Sequence, residues 1–134
     1  MQVKDSSPFY VALYSGVIQD AVREFGFTET DTKVALEMSY KGTLYKKGQF
    51  LVTGKDSVDF VELGLILLKN DTVYFVVSTY KTVFLPHFHM YSVKKETEEM
   101  CCLHIYELAD FYPLPSYWKD GYQLVPLKHG VLAQ

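Results

Sequence analysis

The feature that most constrains this chain is a pair of apolar runs, Phe60 to Lys69 and Thr72 to Tyr80, joined by Asn70-Asp71. Two such runs with an Asn-Asp step between them read as a β-hairpin, because both residues accept the backbone angles of a tight turn. A strand that is apolar at nearly every position has to be covered on both faces. The hairpin is therefore expected at the centre of the core, with structure above and below it.

Candidates for that covering lie on either side. Tyr10, Leu13, Tyr14, Val17, Ile18, Ala21, Val22 and Phe25 recur at the three-and-four spacing of an amphipathic helix. This predicts a helix over 8–26, with Ser7 as cap, Pro8 in the first turn, Gly26 as the left-handed stop and Gly16 tolerated inside. Its apolar stripe must lie on a sheet face, on a partner or on a second copy of the chain. From Val34 the period changes to two: Val34, Leu36, Met38 and Tyr40 alternate with Ala35, Glu37 and Ser39, which reads as a strand. Lys41-Gly42 is a turn and Leu44 to Thr53 a second strand, with Gly48 as a bulge or bend.

Downstream of the hairpin, Thr82–Leu85 and His89–Val93 flank Pro86, and the acidic loop Lys95–Glu99 leads to a short strand at Cys102–Leu108. Tyr112-Pro113-Leu114-Pro115 is extended or turned, and Tyr122–Leu127 and Gly130–Leu132 finish with β segments. No repeat, low-complexity stretch or composition break divides the chain. The expected fold is mainly β (α+β): one domain over 1–134, with the N-terminal helix packed on a small, partly open β-barrel spanning 33–132.

The 134 residues are enough to bury about two-thirds of the unfolded surface without metal or disulfide. The acidic excess, 16 against 13 basic residues, gives no reason to expect a polyanion as obligatory partner. Arg23 is the one arginine, which is unusual for a reader of phosphates and base edges. Lys41, Lys46, Lys47 and Lys55 nevertheless form a local basic lip. The adjacent Cys101 and Cys102 bridge each other only with strain, so a reducing compartment is expected. Met1 to Ser7 shows no basic-then-apolar leader, and the longest apolar stretch, around Leu63–Leu68, is far short of a membrane span. An intracellular protein, nuclear or cytoplasmic, is expected.

Few residues carry chemistry. His87 and His89 would share a face if they stood on one strand, a spacing metal sites use, but no CxxC or HExxH accompanies them and no metal is expected. Cys101 or Cys102 with His104 is the one local nucleophile pair, and burial as small hydrophobes accounts for the cysteines better. Glu98 and Glu99 sit in a polar loop where nothing would raise a carboxyl pKa. No glycine-rich phosphate loop appears, so no nucleotide cofactor is indicated. The rings remain: 11 Tyr, 9 Phe and 1 Trp, with Tyr40, Tyr45, Tyr74, Tyr80 and Phe84 on consecutive expected strands. Such rings can form a cage around a methylated lysine or a stacking platform for bases, and they can equally fill a barrel core.

The run Tyr40-Lys41-Gly42-Thr43-Leu44-Tyr45-Lys46-Lys47-Gly48-Gln49-Phe50-Leu51-Val52, followed by Leu63–Leu68 and Val73–Val77, loosely resembles the opening of bromo-adjacent homology domains. That resemblance implies a small barrel with a protein-interaction or histone-binding role. It departs where those domains carry an Arg-Pro-Glu-Glu-like element, since this chain reads Lys81-Thr82-Val83-Phe84-Leu85-Pro86. From Leu36 onward the chain also resembles the β-rich tail domain of uncharacterised mobile-element-associated animal proteins. The matching words are Leu108-Ala109-Asp110-Phe111-Tyr112-Pro113-Leu114 and Val125-Pro126-Leu127-Lys128-His129. This second likeness implies a loose link to nucleic-acid-handling proteins and supplies no catalytic residues. The expected function is a non-enzymatic module binding a peptide or protein through Tyr40, Lys41, Tyr45, Lys46, Lys47, Lys55, Tyr74, Tyr80 and Phe84. The alternative is a nucleic-acid binder using the same rings and lysines.

Overall fold

A computed structural model describes residues 1–54 and 59–126. Lys55 and the segment expected at Gly130–Leu132 lie outside the described residues. The chain opens with two short edge strands that the sequence reading did not anticipate, Gln2–Lys4 (β1) and Ser7–Pro8 (β2). The expected helix is broken. A 3₁₀ turn at Val11–Leu13 is followed by extended residues at Tyr14 and Ser15, and the α-helix proper is Gly16–Val22 (α1), ending through a second 3₁₀ turn at Gly26 with φ 62°. The reason is local. Ser15 Oγ accepts a hydrogen bond from Ile18 N, so the helix restarts there with Gly16 at its first position instead of its interior, where glycine costs about 1 kcal/mol. Ser7 and Pro8 pair with Val34 and Lys33, as suits a proline confined to a sheet edge.

The expected strand around Val34–Tyr40 is two strands in two sheets, Thr32–Ala35 (β3) and Glu37–Tyr40 (β4), with a bend at Leu36 that leaves this leucine 65% exposed. Likewise the second expected strand divides into Thr43–Lys46 (β5) and Phe50–Val52 (β6), because Gly48 turns the chain at φ 94°. The hairpin is Phe60–Lys69 (β7) and Thr72–Thr79 (β8). It is followed by Lys81–Leu85 (β9), Met90–Lys94 (β10), Met100–His104 (β11), Asp110–Leu114 (β12), Tyr117–Lys119 (β13) and Tyr122–Pro126 (β14).

Among the described residues these strands form three antiparallel sheets, and no closed barrel is found. The fold is mainly β with one short helix. The large sheet runs β11-β8-β7-β3-β2, with β6 on β7 and β12 on β6. Strand β8 takes one edge of β7; β3 and β6 share the other, against Ile66–Lys69 and Phe60–Glu62 respectively. Between those two pairings the chain makes the small sheet β1-β4-β5. A four-stranded sheet, β13-β14-β10-β9, completes the fold.

The hairpin is indeed covered on both sides, and a bulge makes this possible. Leu63 pairs with Val77 and Leu65 with Val76, which leaves Gly64 over and shifts the alternation. Leu63, Ile66 and Leu68 therefore join Phe75, Val77, Met38 and Tyr45 in one core, beneath the small sheet. Leu65 and Leu67 turn the other way, to Phe9, Ile18, Val22 and Phe25 of the helical segment. Tyr14, Ile18, Ala21, Val22 and Phe25 of the expected stripe are thus covered by the chain's own sheet, whereas Leu13, 81% exposed, is not. A third cluster, Phe50, Phe60, Leu114 and Val125, joins the large sheet to the four-stranded one.

The start of β3 is held by a carboxylate. Asp31 accepts hydrogen bonds from the Thr32 hydroxyl at 2.6 Å and Thr28 N at 2.9 Å, and Lys69 Nζ is 3.7 Å away. The Thr32 bond, followed by that from Thr28, lowers the Asp31 carboxyl from 3.8 to about 2. A carboxyl more acidic in the folded than in the unfolded chain stabilises the fold above 3.8, and that stabilisation is lost as pH falls towards about 2. Asp31→Asn is accordingly expected to lower the urea midpoint at neutral pH and to converge on the parent as pH falls through this window. A deficit that stays constant across the series would contradict this.

Candidate functional site

Lys41 and Gly42 form the two-residue turn between Tyr40 and Thr43, with φ of 51° and 82°. Both residues lie in the left-handed region, the pattern of a type I′ hairpin, in which Asn-Gly is the favoured pair. Lysine there accepts a strain of about 1–2 kcal/mol. Its side chain has a partner to show for it: Nζ lies 5.4 Å from the Tyr40 ring centre and 5.6 Å from that of Tyr106. The two phenols meet at 3.0 Å, and this hydrogen bond, more than desolvation, raises the Tyr40 pKa above its usual value.

Tyr106 is positioned by a turn of its own. The 3₁₀ turn Ile105–Glu107 is capped reciprocally, His104 Nδ1 accepting from Tyr106 N at 3.2 Å and Glu107 Oε1 accepting from His104 N at 3.3 Å. The His104 ring stacks on Tyr106 at 4.9 Å. From the other side, the Tyr45 hydroxyl donates to the Phe111 carbonyl at 2.6 Å and so ties the start of β12 to the small sheet. Burial, followed by the nearby Asp110 charge, pushes the Tyr45 phenol up to about 12. Asp110 Oδ1 accepts from Tyr112 N at 2.8 Å, which turns Phe111 and Tyr112 outward.

The result is an exposed aromatic surface. Phe111 and Tyr112, 45% and 58% exposed, line a hollow of about 160 Å³ with Tyr40, Lys41 and Tyr45, and Tyr106, 61% exposed, stands beside it on the Tyr40 hydroxyl. Small-molecule pockets begin near about 300 Å³. This hollow has room for one side chain of a partner and not for a cofactor.

The residues singled out in the sequence do not share one surface. Tyr40, Lys41 and Tyr45 come together here. Lys46 and Lys47 are exposed at the far end of β5, and Lys55 lies outside the described residues. Tyr74 packs edge-on against Phe25, Phe27 and His104 on the helix-covered face of the large sheet. Tyr80 is in the third core, 5.0 Å from Phe50, with its hydroxyl donating to Glu62 and its pKa pushed to about 12 mainly by burial. Phe84 is on edge strand β9 beside Tyr91. Tyr106, Phe111 and Tyr112 are the residues that sequence reasoning missed.

The other constellations resolve simply. His87 and His89 lie in the turn between β9 and β10, His89 at φ 52°, so the shared strand face imagined for them does not exist. Among the described residues no group of three His, Cys, Asp or Glu is placed to hold a metal ion, and no buried side-chain nitrogen or oxygen lacks a hydrogen-bond partner. Cys102 faces the helix, where burial pushes its thiol up to about 12; burial likewise raises Cys101. Burial thus favours the protonated thiol at both positions, the less reactive form. Iodoacetamide is therefore expected to leave Cys102 of the folded protein unmodified, with full labelling only after denaturation. Rapid labelling of native Cys102, read by mass spectrometry, would contradict that.

The turn lysine offers a cleaner comparison. Lys41→Ala keeps the strain and removes the cation, with an expected loss of about 0.5–1 kcal/mol. Lys41→Asn removes the cation and relieves strain, and is expected to stay near the parent. A Lys41→Ala variant as stable as the parent would show that the ammonium adds nothing, and equal thermal losses for both variants would show that asparagine relieves no strain at this turn.

No known family model, curated protein or solved structure matches the chain. Among the described residues no helix is long and apolar enough to cross a membrane.

Proposed function

We propose that this protein is a non-enzymatic interaction module that binds a peptide segment of a partner protein at the Tyr40–Lys41–Tyr106–Phe111–Tyr112 surface. The observation carrying this reading is a side-chain-sized hollow lined by the exposed rings of Phe111 and Tyr112, with the exposed Tyr106 ring joined to its rim through Tyr40. Exposed rings gathered at one place mark contact surfaces, and aromatic residues are enriched at their anchors. The ammonium of Lys41 already lies against Tyr40 and Tyr106. A methylated lysine would have to displace it, so the partner side chain that fits best is apolar or aromatic. The sheets that carry the surface are read as a partly open barrel, and the likeness of 40–77 to bromo-adjacent homology domains supports a chromatin-related, intracellular partner.

Nucleic acid is the second reading. It is favoured by exposed Lys46 and Lys47 which, like Lys41, have no carboxylate within 4.0 Å among the described residues. Salt separates the two readings. Peptide affinity is expected to change little between low and moderate salt, whereas phosphate contacts lose affinity steeply. Pooled peptides and pooled single-stranded and duplex oligonucleotides, titrated at two salt concentrations, decide between them. Steeply salt-sensitive oligonucleotide binding with no peptide binding would replace the first reading by the second.

A further inference from the structure

Trp118 is the one tryptophan of the chain and is 71% exposed on β13. It borders a groove of about 690 Å³ that crosses the four-stranded sheet from β13 to Lys81 and Val83 on β9 and shares no residue with the hollow at Lys41. This volume lies within the range of small-molecule sites, about 300–1,000 Å³. Tyr80 and Tyr122 supply two further rings along it.

Its charge runs against that of the chain. Lys81, Lys94 and Lys95 line it with one carboxylate, Glu96, in a protein of formal net charge −3. Lys94 and Lys81 are direct cross-strand partners, so two ammonium groups share one sheet face, a juxtaposition that disfavours the sheet unless an anion lies between them. Lys81 reaches Glu96 only at 3.9 Å and Lys95 pairs with Glu98 at 3.5 Å, while Lys94 has no carboxylate within 4.0 Å among the described residues.

We infer that this groove binds a small organic anion with a flat aromatic body, its acid group held by the Lys81–Lys94 pair and its ring laid against Tyr122 on the same sheet face, with Trp118 at the groove's rim. The compact size follows from the neighbouring charge. Glu98 and Glu99 stand beside Asp20 just past Lys95, an acidic surface that repels a long polyanion and leaves a single anionic group unopposed.

Trp118 fluorescence of the intact protein is the readout, with 1-anilinonaphthalene-8-sulfonate as the anionic probe and N-phenyl-1-naphthylamine as its uncharged counterpart. Near-UV circular dichroism verifies that each variant keeps its packing. The anionic probe is expected to quench Trp118 saturably. Its affinity should fall about tenfold in Lys94→Gln, which removes a charge-assisted contact from an exposed position. The uncharged probe is expected to bind about tenfold more weakly than the anionic one. Trp118→Phe, followed through probe emission, is expected to retain binding because Tyr122 and the lysine pair remain. Undiminished affinity in Lys94→Gln, equal binding of the uncharged probe, or tighter binding of oligothymidylate would each overturn the inference.

Discussion

Phe75→Ala is expected to lower the free energy of unfolding by about 4 kcal/mol, the cost of emptying a phenyl-sized space in a packed core. Phe75 has no exposed surface, lies directly between Ile66 and Leu103 across the large sheet, and meets the Tyr45 ring at 5.1 Å. It is the point where the hairpin touches the small sheet, so little can collapse into the void. Such a loss is a large share of the roughly 5–15 kcal/mol that holds a domain together. In urea the midpoint should fall with an unchanged slope. Tyr45 rests on the Phe75 ring, and its hydroxyl holds Phe111, so the variant should also loosen the aromatic surface. A loss below about 1 kcal/mol, the level of an ordinary surface change, would mean that the two sheets do not share this core.

Gly64→Ala is expected to cost about 1–3 kcal/mol although it adds a single methyl group. A Cβ at position 64 would stand 2.8 Å from Met100 Cε and 3.1 Å from the Val76 carbonyl oxygen. Met100 is a flexible tip and can swing away; the Val76 carbonyl belongs to the neighbouring strand and cannot move without disturbing the bulge. Gly64→Ala combined with Met100→Ala should therefore recover only part of the loss beyond the cost of Met100→Ala itself. Full recovery would show that the methionine alone was in the way and that the bulge has slack.

That bulge also shows what the sequence could reveal and what it could not. The hairpin was legible because Asn70-Asp71 sits between two runs that no solvated strand would carry. Gly64 was not, since a strand apolar on both sides looks the same before and after its alternation shifts. The helix was drawn too long because Tyr10, Leu13 and Tyr14 keep the helical spacing on a segment that is not one continuous helix, and spacing alone does not show a restart at Ser15. Leu36 kept the alternation of Val34 and Met38 although the chain bends there and changes sheets. Strands β1 and β2 had no apolar pattern because they lie exposed on sheet edges.

For the surface, Lys41-Gly42 could be read as a turn and its flanking tyrosines as candidates. Its partners could not be found, because Tyr40 meets Tyr106 and Tyr45 meets Phe111 across 66 residues of chain. A local sign was present nonetheless: His104 and Glu107 stand at capping-box spacing around Tyr106, and the aromatic pair Phe111-Tyr112 precedes two prolines.

The central claim is that these rings form the contact surface. The most direct test maps backbone amide shifts in the isotope-labelled protein against peptide pools and oligonucleotide pools at two salt concentrations. Salt-tolerant, peptide-induced shifts confined to residues 40–45 and 104–112, and lost in a Tyr106→Ser, Phe111→Ser variant of unchanged melting temperature, are the predicted result. Peptide-induced shifts on the four-stranded sheet or the helix with 40–45 and 104–112 unmoved, or no response to any peptide pool, would contradict it.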